Sequence, residues 1–296
     1  MLYIRVNPNN NMEFKPKLIE KYSKLTDFNE YKKYAEKFVK KSFRINTLKA
    51  DIKGVKNRLA DFNLTQVPWC KEGFYVSDKT DLGKTEEHSL GEIFIQTSVS
   101  MLPAQVLEPK KSDVILDISA SPGGKTTHCA QIMKNQGLIV ANDVSPDRLK
   151  PLIINLQRCS ITNTIVTQTD GRNLKGNYDK ILLDAPCSGS GMIRGNTTLS
   201  IQTVKEWNPL TIERYARLQK QLILHAYSLL KSKGTLVYST CSLESEENEE
   251  VLDYLLKNTD AKLEKINLLK SDFPYLRIWP QDYDTEGFFI AKIKKI

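Results

Sequence analysis

The chain lacks the sequence features of exported and membrane-spanning proteins. Its opening segment, residues 1–8, has no apolar core of the kind found in signal peptides. No apolar run approaches the ~20 residues that a membrane helix needs. We therefore expect a soluble, cytoplasmic protein that makes no membrane contact and whose thiols stay reduced.

The cysteines form no disulfide or metal-binding pattern. Their number is odd, and no two of them make the Cys-x-x-Cys pair that would indicate zinc. The five are Cys70, Cys129, Cys159, Cys187 and Cys241. A chain of 296 residues can bury a core without such cross-links. We expect neither disulfides nor a bound metal.

The glycine-rich fingerprints of phosphate-binding loops are also absent. The segment Asp117–Thr126 reads DISASPGGKT, but a Walker A loop requires glycine where Ser119 stands, and there is no Gly-x-Gly-x-x-Gly pattern. This disfavours a nucleotide-dependent oxidoreductase. Gly123 and Gly124 still let a ligand approach the backbone, and a helix amino-terminus attracts negative charge. The loop suits a ligand with one carboxylate.

Positive charge is concentrated in one segment of the chain. Residues 13–58 contain 14 Lys or Arg and 6 Asp or Glu, and so account for the whole net charge of +8. Localised positive charge beside a neutral body is typical of a protein with a polyanionic partner. We expect this partner to be a nucleic acid; the alternative is a solvated, lysine-rich surface.

The pattern of apolar residues divides the chain into two regions. Residues 1–105 are predicted to form a small, basic α+β unit. Its predicted helices are Lys17–Leu25, Asn29–Lys41 and Ile52–Phe62. Its predicted strands are Phe43–Leu48 and Gly91–Gln96, with a strand pair over Val67–Val76. Residues 106–296 form the second region, which we expect to be the catalytic domain.

The second region alternates strand and helix, which predicts a parallel, doubly wound α/β sheet. Its predicted strands are Val114–Ile118, Leu138–Asn142, Thr164–Thr167, Lys180–Leu183, Thr235–Ser239, Ala261–Ile266 and Phe288–Lys294. Its predicted helices are Lys125–Lys134, Pro146–Arg158, Leu210–Lys231 and Glu246–Lys257. The polar stretch between residues 193 and 209 is predicted to be a loop over the site.

Acidic residues follow the second and third predicted strands of this sheet. Open α/β sheets bind ligands at the carboxyl ends of their strands. Asp143 is placed to bind the hydroxyls of a ribose, and Asp170 is placed to accept from an adenine amino group. With a loop for one carboxylate, the set fits S-adenosylmethionine. For each Asp taken alone, the alternative is that its side chain caps the following helix.

Two cysteines, Cys187 and Cys241, follow predicted strands at the same edge. A thiolate is the best nucleophile that a side chain offers, so a pair of thiols indicates covalent chemistry. The alternative is that both are small buried residues, since free cysteine often packs as a compact hydrophobe.

With these motifs the chain resembles the Nop/Sun family of RNA cytosine-C5 methyltransferases. The matching segments occur in family order. They are Arg44–Thr47, Gln96–Pro103, Ser121–Thr126, Asn142–Asp143 with Arg148, Asp170–Arg172, Asp184–Gly191, Ser239–Ser242, Glu246–Glu249 and Gly287–Ala291.

The resemblance implies a Rossmann-like, S-adenosylmethionine-dependent methyltransferase sheet with a small amino-terminal RNA-binding unit. It makes Cys241 the nucleophile, and it links Cys187 to release of the covalent product. It also implies that Asp184 and Lys125 contact the target base. The implied cofactor contacts are Ser119, Ala120, Ser121, Pro122, Gly123, Gly124, Lys125, Asp143, Arg148, Asp170 and Asp184.

Two positions depart from the family pattern. Ser121 stands where the family usually has alanine, which is also small. Tyr283 stands where the family often has histidine. A proton transfer or base contact made by that histidine is therefore not carried over to this chain.

The implied product is 5-methylcytosine, whose formation requires activation of the ring. Addition of a thiolate at C6 makes C5 nucleophilic, and a carboxyl group kept partly neutral by burial, Asp184, assists at N3. Lys125 is placed to lower a thiol pKa or to orient the base. We expect Cys241 to attack and Cys187 to assist. The alternative exchanges them, because a Pro-Cys pair also carries the nucleophile in DNA cytosine methyltransferases.

The predicted partner is RNA, because its loops and bulges make unstacking of a target base cheap. The compact chain favours tRNA, with rRNA as the alternative. Tyr31, Tyr34, Arg44 and the lysines of residues 1–58 are candidates for RNA contact, and packing inside the protein is the alternative for each tyrosine. A non-catalytic RNA-binding factor on the same fold is the other functional alternative.

Overall fold

The computed structural model describes residues 12–77, 81–195 and 197–296. The prediction for residues 1–8 falls outside these ranges. Within them, no helix is both long enough and apolar enough to cross a membrane. The described chain contains two sheets, one in each of the two predicted regions.

The amino-terminal region forms a four-stranded antiparallel sheet with short helices. Its strands, in the spatial order β2-β3-β1-β4, are β1 (Ser42–Ile45), β2 (Thr65–Gln66), β3 (Gly73–Tyr75) and β4 (Ile93–Ile95). Its helices are α1 (Pro16–Ser23), α2 (Phe28–Ala35), α3 (Ile52–Arg58), α4 (Glu86–Ser89) and α5 (Leu102–Leu107). This confirms an α+β unit.

Helix α2 ends at Ala35, before its predicted end. The Ala35 carbonyl accepts the N–H of Gly195 at 2.7 Å instead of continuing the helical ladder. The Arg194 side chain donates to the carbonyls of Lys37 and Phe38. Contacts from a segment more than 150 residues away in sequence therefore end the helix, and local periodicity could not predict them.

The carboxyl-terminal region is built on an eight-stranded sheet. Five strands are parallel to their neighbours in the order β9-β8-β5-β6-β7: β5 (Val114–Asp117), β6 (Leu138–Asn142), β7 (Thr164–Thr167), β8 (Tyr178–Asp184) and β9 (Leu230–Thr240). The helices are α6 (Gly124–Met133), α7 (Pro146–Arg158), α8 (Thr198–Glu206), α9 (Pro209–Ser228) and α10 (Glu249–Asn258). From β5 the chain adds β6 and then β7 on one side of the sheet, and it then crosses back to place β8 on the other side of β5. The ends of β5 and β8 therefore form the topological switch point at which such sheets bind ligands.

The central strands are parallel, as predicted, whereas the strands at one edge of the sheet are antiparallel. β12 (Phe288–Lys294) pairs antiparallel with β9. β10 (Lys262–Glu264) and the unpredicted β11 (Tyr275–Ile278) pair antiparallel with β12, and α11 (Pro280–Tyr283) precedes it. An apolar run predicts a buried strand but not its direction. Because β12 runs backwards, Phe289 pairs with Thr240, and the start of β12 reaches the end of β9.

The predicted loop between residues 193 and 209 was also wrong, because it contains helix α8. The Thr197 hydroxyl caps the helix by accepting the Ser200 N–H at 3.1 Å. Val204 and Trp207 are buried in a cluster with Ile193. Apart from Leu199, the exposed face of α8 is polar, which obscured its short apolar face in the sequence.

The central strands bury side chains on both faces of the large sheet. Ile181 and Leu183 of β8 lie in the apolar cluster that includes α9, while Leu182 lies in the cluster that includes α5 and α6. Burial of one such side chain contributes about 1.5–3 kcal/mol. These strands are apolar throughout because both faces are covered, and this packing fixes the loops at their ends.

Arg44 and Tyr31, which were candidates for RNA contact, are buried inside the protein. The Arg44 guanidinium donates to the Thr127 hydroxyl at 2.8 Å and so ties β1 to α6. Tyr31 packs edge-on against Tyr22, with ring centroids 5.1 Å apart. Both candidates were wrong, since neither side chain reaches the surface. Tyr34 is half-buried, with the Lys37 ammonium 4.3 Å from its ring centroid.

Candidate active site

Cys187 and Cys241 lie side by side at the carboxyl edge of the large sheet. They follow β8 and β9, which are parallel neighbours with Asp184 opposite Ser239. Their Sγ atoms are 2.8 Å apart, and both side chains are partly exposed. One thiol therefore donates a hydrogen bond to the other, so the two sulfurs form a pair.

Backbone hydrogen bonds hold the two cysteine loops together. The Gly191 N–H donates to the Cys241 carbonyl at 2.9 Å, and the Gly287 N–H donates to the Gly191 carbonyl at 2.8 Å. A Cβ atom on Gly191 would lie only 2.3 Å from the Gly287 carbonyl oxygen. Glycine is therefore required where the Cys187 loop, the Cys241 loop and the start of β12 meet.

The two thiols have different electrostatic surroundings. The hydrogen bond with Cys241, burial and the negative charge of Glu247 raise the pKa of the Cys187 thiol well above its ordinary value. Cys187 therefore keeps its proton at neutral pH. The positive charge of Lys125 acts on Cys241. The charged neighbours of the two thiols therefore differ.

Asp184 and Lys125 form an ion pair beside the thiols, with Nζ 2.6 Å from Oδ2. The Ser239 hydroxyl donates to Oδ1 of the same carboxylate at 2.7 Å. Burial lowers the pKa of Lys125, but the attraction of Asp184 outweighs burial, and the net effect is a raised pKa. Lys125 therefore stays charged. Asp184 is held in an ion pair with Lys125. The sequence analysis predicted instead a carboxyl group kept partly neutral by burial.

The loop that follows β5 turns back on the end of β6. The Ala120 N–H donates to the Asn142 carbonyl at 2.8 Å, and Gly123 has a φ of 103° in the left-handed region. No side chain of the described ranges caps α6, so its first N–H groups face the loop. The loop brings to this edge Ser119, Ala120, Ser121, Pro122, Gly123, Gly124 and Lys125.

Asp143 and Asp170 follow β6 and β7, as predicted. The buried Asp143 carboxylate accepts the Ser121 N–H at 3.3 Å and lies 3.1 Å from Nε of Arg148, which ties the loop to α7. Hydrogen bonds from Arg172 lower the pKa of Asp170 to about 2. Asp170 is therefore an ionised acceptor near the surface.

Asp117 was missed as a site residue. It ends β5 and is buried; its Oδ2 accepts the Thr126 hydroxyl at 2.7 Å, while Oδ1 has no partner among the described residues. Burial raises the pKa of Asp117 to about 6. Its position at a strand end, shared with Asp143 and Asp184, is the signal that could have identified it.

Tyr283, at the position where the family pattern has histidine, lies at the surface against Trp69. The two rings meet edge to face, with centroids 5.4 Å apart. The Tyr283 side chain is 37% exposed. No contact in the described chain gives it a role in proton transfer at the cysteine pair.

Three potential metal ligands, Cys70, Glu72 and His128, lie together where the two regions meet. All three are buried, and their donor atoms lie within 4.8 Å of one another. The Gln105 amide nitrogen lies 3.1 Å from the His128 ring and 3.7 Å from the Cys70 sulfur. These contacts are those of a polar network between the regions. The expectation that the protein binds no metal stays a prediction.

The strand order, the glycine loop after β5 and the acids at the strand ends define a methyltransferase of the Rossmann-like class. Comparison with family models agrees with this class. Residues 104–294 match the model of 16S rRNA methyltransferase RsmB/F, and residues 12–98 match that of the N-terminal domain of 16S rRNA methyltransferase RsmF. The chain belongs to this family, the RNA cytosine-C5 methyltransferases that its motifs predicted.

Individual relatives differ in length and in the RNA that their names specify. A tRNA (cytosine(49)-C(5))-methyltransferase of Pyrococcus abyssi is 47% identical over 94% of this chain and 96% of its own length. A ribosomal RNA small subunit methyltransferase F of Vibrio parahaemolyticus is 39% identical over 87% of this chain, which spans only 57% of that relative. The crystal structure of NSun6 from Pyrococcus horikoshii with SFG has a TM-score of 0.86 at 27% identity, covering 96% of this chain and 99% of that one.

Proposed function

We propose that this protein transfers a methyl group from S-adenosylmethionine to C5 of a cytosine in RNA, through a covalent bond between Cys241 and the ring. One observation carries the proposal. Two thiols lie 2.8 Å apart at the strand edge that also holds the Lys125–Asp184 ion pair. Activation of C5 requires a nucleophile and a proton donor, and a second thiol can assist release of the product.

The donor set at this edge fits S-adenosylmethionine. The uncapped start of α6 suits the methionine carboxylate, and Asp143 suits the ribose hydroxyls. Asp117 adds a buried carboxylate oxygen without a partner in the described chain. SFG, present in the NSun6 structure, is an analogue of this cofactor. When bound, S-adenosylmethionine supplies an electrophilic methyl group.

The first step is addition of the Cys241 thiolate to C6 of the cytosine. The sulfur–carbon bond forms as the C5–C6 double bond breaks, and N3 takes a proton from the Lys125–Asp184 pair. The pair suits this task because Lys125 remains protonated and Asp184 accepts its hydrogen bond at 2.6 Å. C5 is now nucleophilic and takes the methyl group.

The second step restores the ring and frees the enzyme. A water next to Cys187 removes the proton from C5, the N3 proton returns to the Lys125–Asp184 pair, and the double bond re-forms as the bond to sulfur breaks. The Cys187 S–H donates to the departing sulfur and stabilises it as a thiolate. The 2.8 Å contact between the sulfurs makes this donation possible without movement of either loop.

We propose tRNA, encountered in the cytoplasm, as the substrate. The full-length match is to the Pyrococcus abyssi enzyme named for cytosine 49 of tRNA, whereas the chain spans little more than half of the rRNA relatives. The basic segment of residues 13–58 would contact phosphates. rRNA is the second candidate, because both family models are named for 16S rRNA.

Methyl transfer to defined RNAs tests the function. The protein is incubated with labelled S-adenosylmethionine and with unmodified tRNA or 16S rRNA transcripts, followed by bisulfite sequencing. We expect label in tRNA and a protected cytosine, with position 49 the first to examine. Label in rRNA alone would identify rRNA, the second candidate, as the substrate. Label without a protected cytosine would refute C5 as the target.

Asp143→Asn should weaken S-adenosylmethionine binding by about 10- to 100-fold. The ribose hydroxyls would lose a charged acceptor, and hydrogen bonds to charged groups contribute about 1.5–3 kcal/mol. Isothermal titration of the purified protein measures the effect. Asp147→Asn is the matched control, because this exposed carboxylate pairs with Lys150 at 3.4 Å on the same helix. Equal affinities for the two variants would contradict a role of Asp143 at the ribose.

A further inference from the structure

One buried carboxylate, Glu247, links the residues that directly follow the two cysteines. Its Oε1 accepts the Ser188 N–H at 2.9 Å, and its Oε2 accepts the Ser188 hydroxyl at 2.5 Å. The Ser242 hydroxyl donates to Oε2 as well. Ser188 follows Cys187 and Ser242 follows Cys241, so a single side chain fixes both loops.

The segment that carries Glu247 is itself held rigidly. The Tyr238 hydroxyl, from within β9, donates to the Glu247 carbonyl at 2.6 Å. The neighbouring Asn248 donates to the Ser242 carbonyl at 2.9 Å and accepts the Thr240 hydroxyl at 2.7 Å. The position of the carboxylate is therefore set by β9 and by the loop that it binds.

The negative charge of Glu247 has no cation as a partner in the described part of the chain. The carboxylate is fully buried, and its fourth donor is the Gln219 amide at 3.2 Å. Burial raises the pKa of Glu247 above its ordinary value, whereas the hydrogen bonds from Ser188, Ser242 and Gln219 act in the opposite direction and favour the carboxylate. That charge acts on Cys187, while the positive charge of Lys125 acts on Cys241.

The other ionisable groups around the pair do not change this difference. Asp184 on β8 is occupied by Lys125 and Ser239. Tyr238 on β9 is buried, and its raised pKa keeps it neutral. The negative charge of Glu247, which acts on Cys187, and the positive charge of Lys125, which acts on Cys241, therefore polarise the two thiols in the same direction.

We propose that Glu247 is a positioning residue of the active site: it sets the two cysteine loops against each other through Ser188 and Ser242, and its carboxylate favours the shared proton of the thiol pair on Cys187. This deepens the proposed function and rests on it for its catalytic meaning. The arrangement of the thiols themselves can be tested without substrate or cofactor.

The test is alkylation with limiting iodoacetamide across a pH series, with each cysteine quantified by peptide mass spectrometry. In the unaltered protein, Cys241 should react in preference to Cys187 near neutral pH. Glu247→Gln keeps the size of the side chain and removes its charge, and the serine hydroxyls can rotate to accept from the amide. We expect the Cys241-to-Cys187 labelling ratio to fall about tenfold, the effect of one pKa unit.

Glu247→Asp and Glu246→Gln complete the design. The aspartate keeps the charge and should retain the preference for Cys241, which a merely structural role would not predict. Glu246, 33% exposed at its side chain and paired with Lys21, is the control for loss of a neighbouring carboxylate. Circular dichroism verifies that each variant is folded.

If Glu247→Gln is folded and keeps the labelling ratio and its pH dependence, the inference is overturned. The inference is also overturned if Glu247→Asp and Glu247→Gln change the labelling ratio equally. This criterion applies even if Glu247→Gln folds poorly. Absence of methyl transfer to RNA, by contrast, would refute the proposed function and leave the labelling result standing.

Discussion

Replacement of Cys241 by alanine is expected to abolish methyl transfer, with a loss of at least about 10⁴-fold in kcat. Without the thiolate no bond to C6 forms, and C5 of cytosine does not attack a methyl group unaided. Single-turnover transfer of labelled methyl to tRNA measures the loss. Cofactor affinity should remain unchanged, because Cys241 belongs to the loop after β9 and the proposed cofactor contacts lie at or after the ends of β5, β6, β7 and β8.

The companion variant, Cys187→Ala, should accumulate a covalent protein–RNA adduct that survives SDS. The Cys241 thiolate can still add, but the departing sulfur has lost the S–H that lies 2.8 Å away. A shifted band on a denaturing gel, sensitive to ribonuclease, reports the adduct. Cys159→Ala is the control, since this buried thiol is far from the pair in sequence and outside the proposed chemistry. The reverse pattern, an adduct with Cys241→Ala, would exchange the two roles.

The second large effect is expected for Asp184→Asn, a loss of about 10³-fold in the methyl-transfer rate. General acid–base groups contribute typically 10²–10⁴-fold. The substitution removes the charge that holds Lys125 at 2.6 Å, so the pair can no longer deliver and recover the N3 proton. Single-turnover rates at saturating RNA and cofactor separate this loss from weaker binding.

Asp179→Asn serves as the matched control for this prediction. Asp179 lies near the opposite end of the same strand, β8, where it pairs with Lys231 at 2.8 Å. Its loss should leave the transfer rate within about twofold, as for surface changes away from a site. A wild-type rate for Asp184→Asn would remove this residue from the mechanism and leave the Cys241 prediction intact.

Much of the catalytic region could be predicted from local sequence. The observed bounds of β6, β7 and α7 are those predicted, because each has a clear period and a turn or capping signal at its ends. Asp143 and Cys241 could be identified because a residue at the end of a parallel strand lies at the ligand-binding edge. That rule needs only the strand boundaries.

Other features depend on contacts between distant segments. Arg44 and Tyr31 are polar or amphipathic residues in a basic segment, yet packing against α6 and Tyr22 buries them. The direction of β12 and the early end of α2 at Ala35 likewise follow from partners that a local pattern does not contain.

The positions of the candidate reactive residues at strand ends can therefore be predicted from local sequence. The electrostatic difference between the two thiols cannot. Strand ends, glycines and two cysteines can be found along the chain, and they suffice for the fold class and the reaction type. The charges that act on the two thiols come from Glu247 and Lys125, which lie far apart in the sequence. Charges act through space, and their positions are known only once the chain is folded.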